Sequence, residues 1–225
     1  MDDLTMLDFS QNQLNEIPEG LEEAKSLLVL NLSNNFIEEI PAQVFVNCTD
    51  LLYLNVGTTA WNLPATDPPA GAPPDTHPEQ QPPHTLPVQT AAVPGGPADP
   101  AHASHPAVPS NLPSSLEGLT CLADVDLSRN NLQKIPDCIY TLCNLKRLNM
   151  SDNEITEIGP GIEQWPKLEV LNMCRNKLTA LPSQICKLES LRRLMVNENQ
   201  LDFEGIPSGI GKIVGLECSL LLIIA

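Results

Sequence analysis

The chain has 225 residues, 42% of them hydrophobic and 4% aromatic, with a formal net charge of −16. That length allows one or two domains. The acidic balance leaves no basic footprint for nucleic acid and argues against unassisted binding to anionic membranes.

The charge is uneven: residues 1–128 hold 17 acidic groups against one base, Lys25, while residues 129–225 hold 11 of each sign. The opening Met1-Asp-Asp-Leu-Thr5 lacks the basic and apolar regions of a signal peptide. The seven cysteines (48, 121, 138, 143, 174, 186, 218) are odd in number and scattered. They read as reduced thiols in a cytoplasmic or nuclear chain.

In chain order, residues 4–56 begin with two copies of one pattern. Leu4-x-x-Leu7-x-Phe9-x-x-Asn12-x-Leu14 is followed by Leu27-x-x-Leu30-x-Leu32-x-x-Asn35-x-Ile37. A third copy starts at Leu51-Leu-Tyr-Leu54-Asn-Val56, but Thr59 stands where its Asn belongs. Residues 57–110 then hold 14 of the 22 prolines and no Lys or Arg. Proline removes the backbone donors that a sheet ladder needs, so this segment reads as a disordered Pro/Ala-rich linker.

The pattern resumes in mid-unit at Asn111-Leu-Pro and is then written four times, with asparagines at 130, 153, 176 and 199, a constant step of 23. L-x-x-L-x-L-x-x-N-x-L at a fixed period in the twenties is the leucine-rich-repeat signature. The fold class expected is therefore α/β. It is a leucine-rich-repeat solenoid with a curved parallel sheet on the concave side and short helical, 3-10 or extended segments on the convex side, interrupted by the linker. Alternation along each short strand sends the leucines of L-x-L into a shared core and the residue between them outward. Asn12, Asn35, Asn130, Asn153, Asn176 and Asn199 are expected to form a ladder of side-chain amides that satisfies turn backbone no sheet bond reaches.

The resulting map is repeats over 1–56 (two and a partial), linker over 57–110, repeats over 111–217 (four and partials) and an apolar tail over 218–225. The tail, Cys218-Ser-Leu-Leu-Leu-Ile-Ile-Ala225, is too short to span a bilayer. It reads either as a strand stacked on the last repeat or as an aggregation-prone edge. Residues 1–56 hold fewer than the roughly three repeats needed to bury a continuous face. They are therefore expected to be loose unless they dock on the second block.

No catalytic or cofactor site is expected. All four histidines (77, 84, 102, 105) lie in the linker, leaving the repeats without an imidazole base or ligand. No CxxC pair supports a zinc site. Gly205-Ile-Pro-Ser-Gly-Ile-Gly211-Lys212 has one residue too many for a phosphate-binding loop, and Ile213 follows where a hydroxyl is required.

The candidate binding surface is the outward side of the strands. Its central column reads Asp8, Asn31, Asn55, Asp126, Asn149, Asn172, Met195, and the column before it Met6, Val29, Tyr53, Asp124, Arg147, Val170, Arg193. Arg129, Lys146, Arg175 and Arg192 stand beside them. A rigid face of this kind binds extended or helical partners, and its bases point to an acidic helix or coiled coil. Asp126, Arg147, Asn149, Arg175, Arg192, Arg193 and Met195 are the candidate contacts, with Arg147 and Arg193 foremost because guanidinium groups are enriched at hot spots.

Several phrases lie outside the generic consensus. Leu4-Thr-Met-Leu-Asp-Phe-Ser10, Thr49-Asp-Leu-Leu-Tyr-Leu54, Asn111-Leu-Pro-Ser-Ser-Leu-Glu-Gly-Leu119, Ala123-Asp-Val-Asp-Leu-Ser128, Ile139-Tyr-Thr-Leu142 and Leu201-Asp-Phe-Glu-Gly-Ile-Pro-Ser-Gly-Ile-Gly211 resemble the N-terminal repeats of the flightless branch of the gelsolin family, over residues 4–56 and 111–217. The resemblance implies a docking module tied to the actin cytoskeleton, signalling and transcriptional coactivation. Its implied partners are coiled-coil repeat-interacting proteins, Ras-like proteins and coactivator complexes. The Leu-Pro-x-x-Ile-x-x-Leu segment is also similar to the Ras-binding group of repeat proteins. Actin would be reached only indirectly, since no residues here match the gelsolin-like domains. The family's solenoid is continuous, whereas a linker stands in place of repeats here. The expectation is thus a truncated or alternatively spliced product, or an intron read as coding. The rival to a binding module is a non-binding or dominant-negative fragment with too few repeats for affinity, or a gene-model artefact.

Overall fold

The computed structural model describes residues 3–37, 40–58 and 114–218. These residues form one eight-stranded parallel sheet in which each strand pairs with the next in sequence. The strands are β1 (Met6–Asp8), β2 (Val29–Asn31), β3 (Tyr53–Asn55), β4 (Asp124–Asp126), β5 (Arg147–Asn149), β6 (Val170–Asn172), β7 (Arg193–Met195) and β8 (Glu217–Cys218). This is the expected leucine-rich-repeat solenoid.

Each strand is short because only its middle residue reaches the core. Leu30, Leu54, Val125, Leu148, Leu171 and Leu194 are buried, and their neighbours on either side face outward. Beyond the strand the ladder continues. The N–H groups of Phe9, Leu32, Val56, Leu127, Met150 and Met173 donate to the carbonyls of Asn31, Asn55, Asp126, Asn149, Asn172 and Met195 in the following repeat, at 2.8–2.9 Å.

The other side of each unit is a short helical turn. One-turn helices α1 (Gln43–Val46) and α2 (Asp137–Tyr140) take this place in two units and 3-10 turns in the others, at Leu21–Glu23, Ser114–Gly118, Pro160–Gln164, Ser183–Lys187 and Ile210–Lys212. Prolines 136, 160 and 182 stand at or just before three of these starts, where a fixed φ and a missing N–H cost nothing. Ile139, Ile162 and Ile185 send one buried side chain from each turn into the shared core. Trp165, fully buried, stacks on Tyr140 at 5.2 Å and donates its indole N–H to the Ile139 carbonyl at 3.0 Å.

Residues 3–58 are docked in repeat order. Tyr53, Leu54 and Asn55 pair with Asp124, Val125 and Asp126 in the register used everywhere else. Leu51 and Leu122, which open neighbouring repeats, stand 71 positions apart where 23 is the rule, so 48 extra residues enter one unit. That unit takes its strand from residues 51–58 and its helical turn from residues 114–118. The linker beyond Thr58, Thr59 and the tail beyond Cys218 lie outside the described residues.

Candidate functional site

The central column of the sheet face is chemically committed to the fold. Asp8, Asn31, Asn55, Asp126, Asn149 and Asn172 each accept, through Oδ1, the N–H two residues ahead, at 2.8–3.2 Å. These Asx turns end each strand and start the bend. Asn149 also donates to Asp126 Oδ2 at 3.0 Å, and Asn31 to Asp8 Oδ2 at 3.1 Å. The bond to Ser10 holds the exposed Asp8 carboxyl below its usual range. Each polar side-chain atom of Asp126 and Asn149 therefore already has one bond within the sheet face. Met195 ends the column with an apolar side chain.

The preceding column takes no part in these Asx turns. Arg147 Nη1 bonds both oxygens of Asp124, at 3.2 and 3.1 Å, which leaves its Nε and Nη2 without a described partner. Its side chain is 62% exposed. Arg193, also exposed, lies two strands further along the same column, with Val170 between them. Tyr53, Asp124, Arg147, Val170, Asn172 and Met195 line an open depression of about 320 Å³ on this face.

Arg175 and Arg192 sit off the strands. Arg175 lies at the turn and bridges Asp152 (3.0 Å) and Glu198 (3.2 Å), bonds that raise its pKa. Arg192 Nη1 donates to the Val214 carbonyl at 3.0 Å and ties down the last turn.

The asparagine ladder has a repeated bonding scheme. The amide of Asn153 donates to the Leu127, Met150 and Ser151 carbonyls, and its oxygen accepts the Leu132 N–H at 3.1 Å. Asn35, Asn176 and Asn199 do the same in their own repeats. Asn130 reaches back to Val56 at 3.2 Å. Asn12 is exposed at the edge, and among the described residues its amide donates to the Phe9 and Ser10 carbonyls alone.

Sequence reasoning missed a second column. Gln11, Asn34, Thr58, Arg129, Asp152, Arg175 and Glu198 all have φ of 52–58°. Six of them donate their N–H to the next repeat, to Ser33, Gly57, Ser128, Ser151, Cys174 and Asn197 in turn. The left-handed conformation aims that N–H along the solenoid, and repeat position is its only sequence signal.

The leucine-rich-repeat family model matches residues 2–59 and 143–201, more than half of the chain. This chain belongs to the leucine-rich-repeat family. It is 47% identical to the flightless-1 homologue of Homo sapiens over 96% of its length, and equally to that of Mus musculus. Identity to the Caenorhabditis elegans homologue is 38% over 95%. The chain spans 17%, 17% and 13% of those relatives. Among solved structures, a leucine-rich-repeat protein of Leptospira interrogans superposes with a TM-score of 0.64 at 24% identity, over 91% of this chain and 40% of that one. That likeness concerns the fold.

Leucine-rich-repeat geometry also accounts for the residues that had a chemical alternative. Gly205 packs so closely on the Thr179 carbonyl that any Cβ would collide with it. Its N–H bonds Asp202 Oδ1 at 2.7 Å, so the glycine belongs to the turn. Cys48 is buried and donates to the Val44 carbonyl at 3.1 Å. Burial pushes the Cys138 thiol up to about 11, the reverse of what a nucleophile needs. Among the described residues, no group of three His, Cys, Asp or Glu is placed to hold a metal, and no helix is long and apolar enough to cross a membrane.

Proposed function

We propose that this chain is a protein-interaction module that binds an acidic helix or coiled coil across β3–β7. One observation carries the reading: the depression sets the apolar surfaces of Tyr53, Val170 and Met195 beside the half-committed guanidinium of Arg147. A partner carboxylate takes the nitrogens that Asp124 leaves, while apolar side chains cover the floor. Likeness to the flightless-1 homologues supports coiled-coil repeat-interacting, Ras-like or coactivator proteins as partners in the cytoplasm or nucleus. Any link to the actin cytoskeleton or to transcription then runs through those partners.

The test is a pull-down of acidic coiled-coil peptides by the full chain, with Arg147→Glu and Arg193→Glu alongside. Saturable binding that falls about tenfold or more in each reversal supports the reading. Binding that survives both moves the site off these columns. No binding by a cooperatively folded chain would favour the rival, a fragment with too few repeats.

A further inference from the structure

We infer that the β3–β4 boundary is a binding interface in its own right. Residues 3–58 are the ligand and the edge of β4 with the Ser114–Gly118 turn is the receptor. The joint holds without the chain that connects them.

The sheet supplies the directional part. The N–H groups of Ala123 and Asp124 donate to the Leu52 carbonyl at 3.0 Å, Val56 donates to Asp126 at 2.9 Å, and Thr58 to Ser128 at 2.8 Å. The Asn130 amide then reaches the Val56 carbonyl at 3.2 Å. The core supplies the rest. Leu51, Leu54 and Val56 on one side, and Leu116, Leu119, Leu122, Val125 and Leu127 on the other, are all buried in one cluster. At the turn the fit is close: a Cβ on Gly57 would stand 3.0 Å from Ser128 Oγ and 3.1 Å from its carbonyl. This is strand addition to a sheet edge, with main-chain bonds for affinity and inward Leu-x-Val for specificity.

The connection contributes little by comparison. Fifty-five residues separate Thr58 from Ser114, and the closure cost of so long a segment grows only with the logarithm of its length. The N-terminal block has too few repeats to bury its own face. Its order therefore depends on the receptor edge, as in coupled folding and binding.

The experiment keeps every residue and removes one peptide bond. The chain is expressed as two polypeptides divided between Ala101 and His102, with an affinity tag on the first only. We expect the second to be recovered with the first in equal amounts. Gly57→Val in the first piece leaves the receptor piece unaltered, and is expected to cut that recovery about tenfold or more, as is Val125→Asp in the second. Circular dichroism of the same variants in the undivided chain shows whether each still folds when the connection is present. A wild-type second piece that is soluble but not retained overturns the inference. Undiminished recovery in both variants overturns it equally.

Discussion

The joints β3–β4 and β4–β5 differ in connectivity and hardly at all in structure. The first is spanned by a unit 48 residues too long, the second by an ordinary unit of 23. Yet Val56 meets Asp126 at 2.9 Å and Leu127 meets Asn149 at 2.8 Å, while Thr58 meets Ser128 at 2.8 Å and Arg129 meets Ser151 at 2.9 Å. In a solenoid each repeat is placed by its neighbour's surface, so added chain can enter a unit without moving the ladder, provided that it enters between strand and helical turn. The differences lie in side-chain contacts: Asn149 donates to Asp126 Oδ2 at 3.0 Å across β4–β5, where Asn55 donates to Tyr53 of its own strand. Arg147 and Asp124 form an ion pair across β4–β5, whereas among the described residues no ion pair crosses β3–β4.

The asparagine ladder offers the strongest way to break this equivalence. Asn153→Ala strips a fully bonded rung and leaves the buried Leu132 N–H without its acceptor. A cost of about 3 kcal/mol is expected, lowering Tm by roughly 10 °C for an ordered region of this size. Asn12→Ala, at the exposed edge, is expected to cost less than about 0.5 kcal/mol. Thermal unfolding of the two variants checks the contrast, and equal effects would mean that the rungs do not act through burial. Asn130→Ala falls between them if the interrupted joint is as strong as its geometry.

How much of this was legible in the sequence follows from what each feature depends on. The strands and the rungs at 35, 130, 153, 176 and 199 repeat identical residues at fixed spacing, so pattern alone located them. The left-handed column repeats a backbone angle while its residues run from Gln11 to Glu198, and no composition signal marks it. The central column was misleading for a related reason. Asp126 and Asn149 look like outward polar groups ready for a ligand, but short side chains two residues ahead of a backbone N–H are also those that close Asx turns. Docking of residues 3–58 was open because it rests on contacts between segments far apart in sequence. Only the surfaces, once built, show that they match.

Thiols sharpen the comparison at a second scale. Cys138 on the turn after β4 is held neutral by burial, with its pKa pushed up to about 11, and burial likewise raises that of Cys48 before β3. A pKa raised in the folded state gives stability that is fully present below the unfolded value near 9 and lost as pH rises through the folded value. Unfolding free energy is expected to fall from pH 9 towards 11, by about 1–2 kcal/mol, and Cys138→Ala is expected to flatten the slope. A thiol reagent at pH 8 is expected to label the exposed Cys121 and Cys143 within minutes and to reach Cys48 and Cys138 only on unfolding. Rapid labelling of Cys48 alone would show that the N-terminal block opens independently, which would break the equivalence of the two joints.

The smallest expected effect concerns the ion pair that distinguishes the joints. Arg147 and Asp124 are both partly exposed to water, where Coulomb attraction is weak and holding a long side chain costs entropy. Arg147→Ala is expected to change stability by less than about 1 kcal/mol, and the change is expected to shrink in 0.5 M salt. The double variant with Asp124→Ala isolates the pair itself. A coupling above about 1 kcal/mol would mean that β4–β5 owes its strength to charge, and that the interrupted joint, lacking a counterpart, is the weaker. A coupling near zero leaves Arg147 free of any structural duty at this joint.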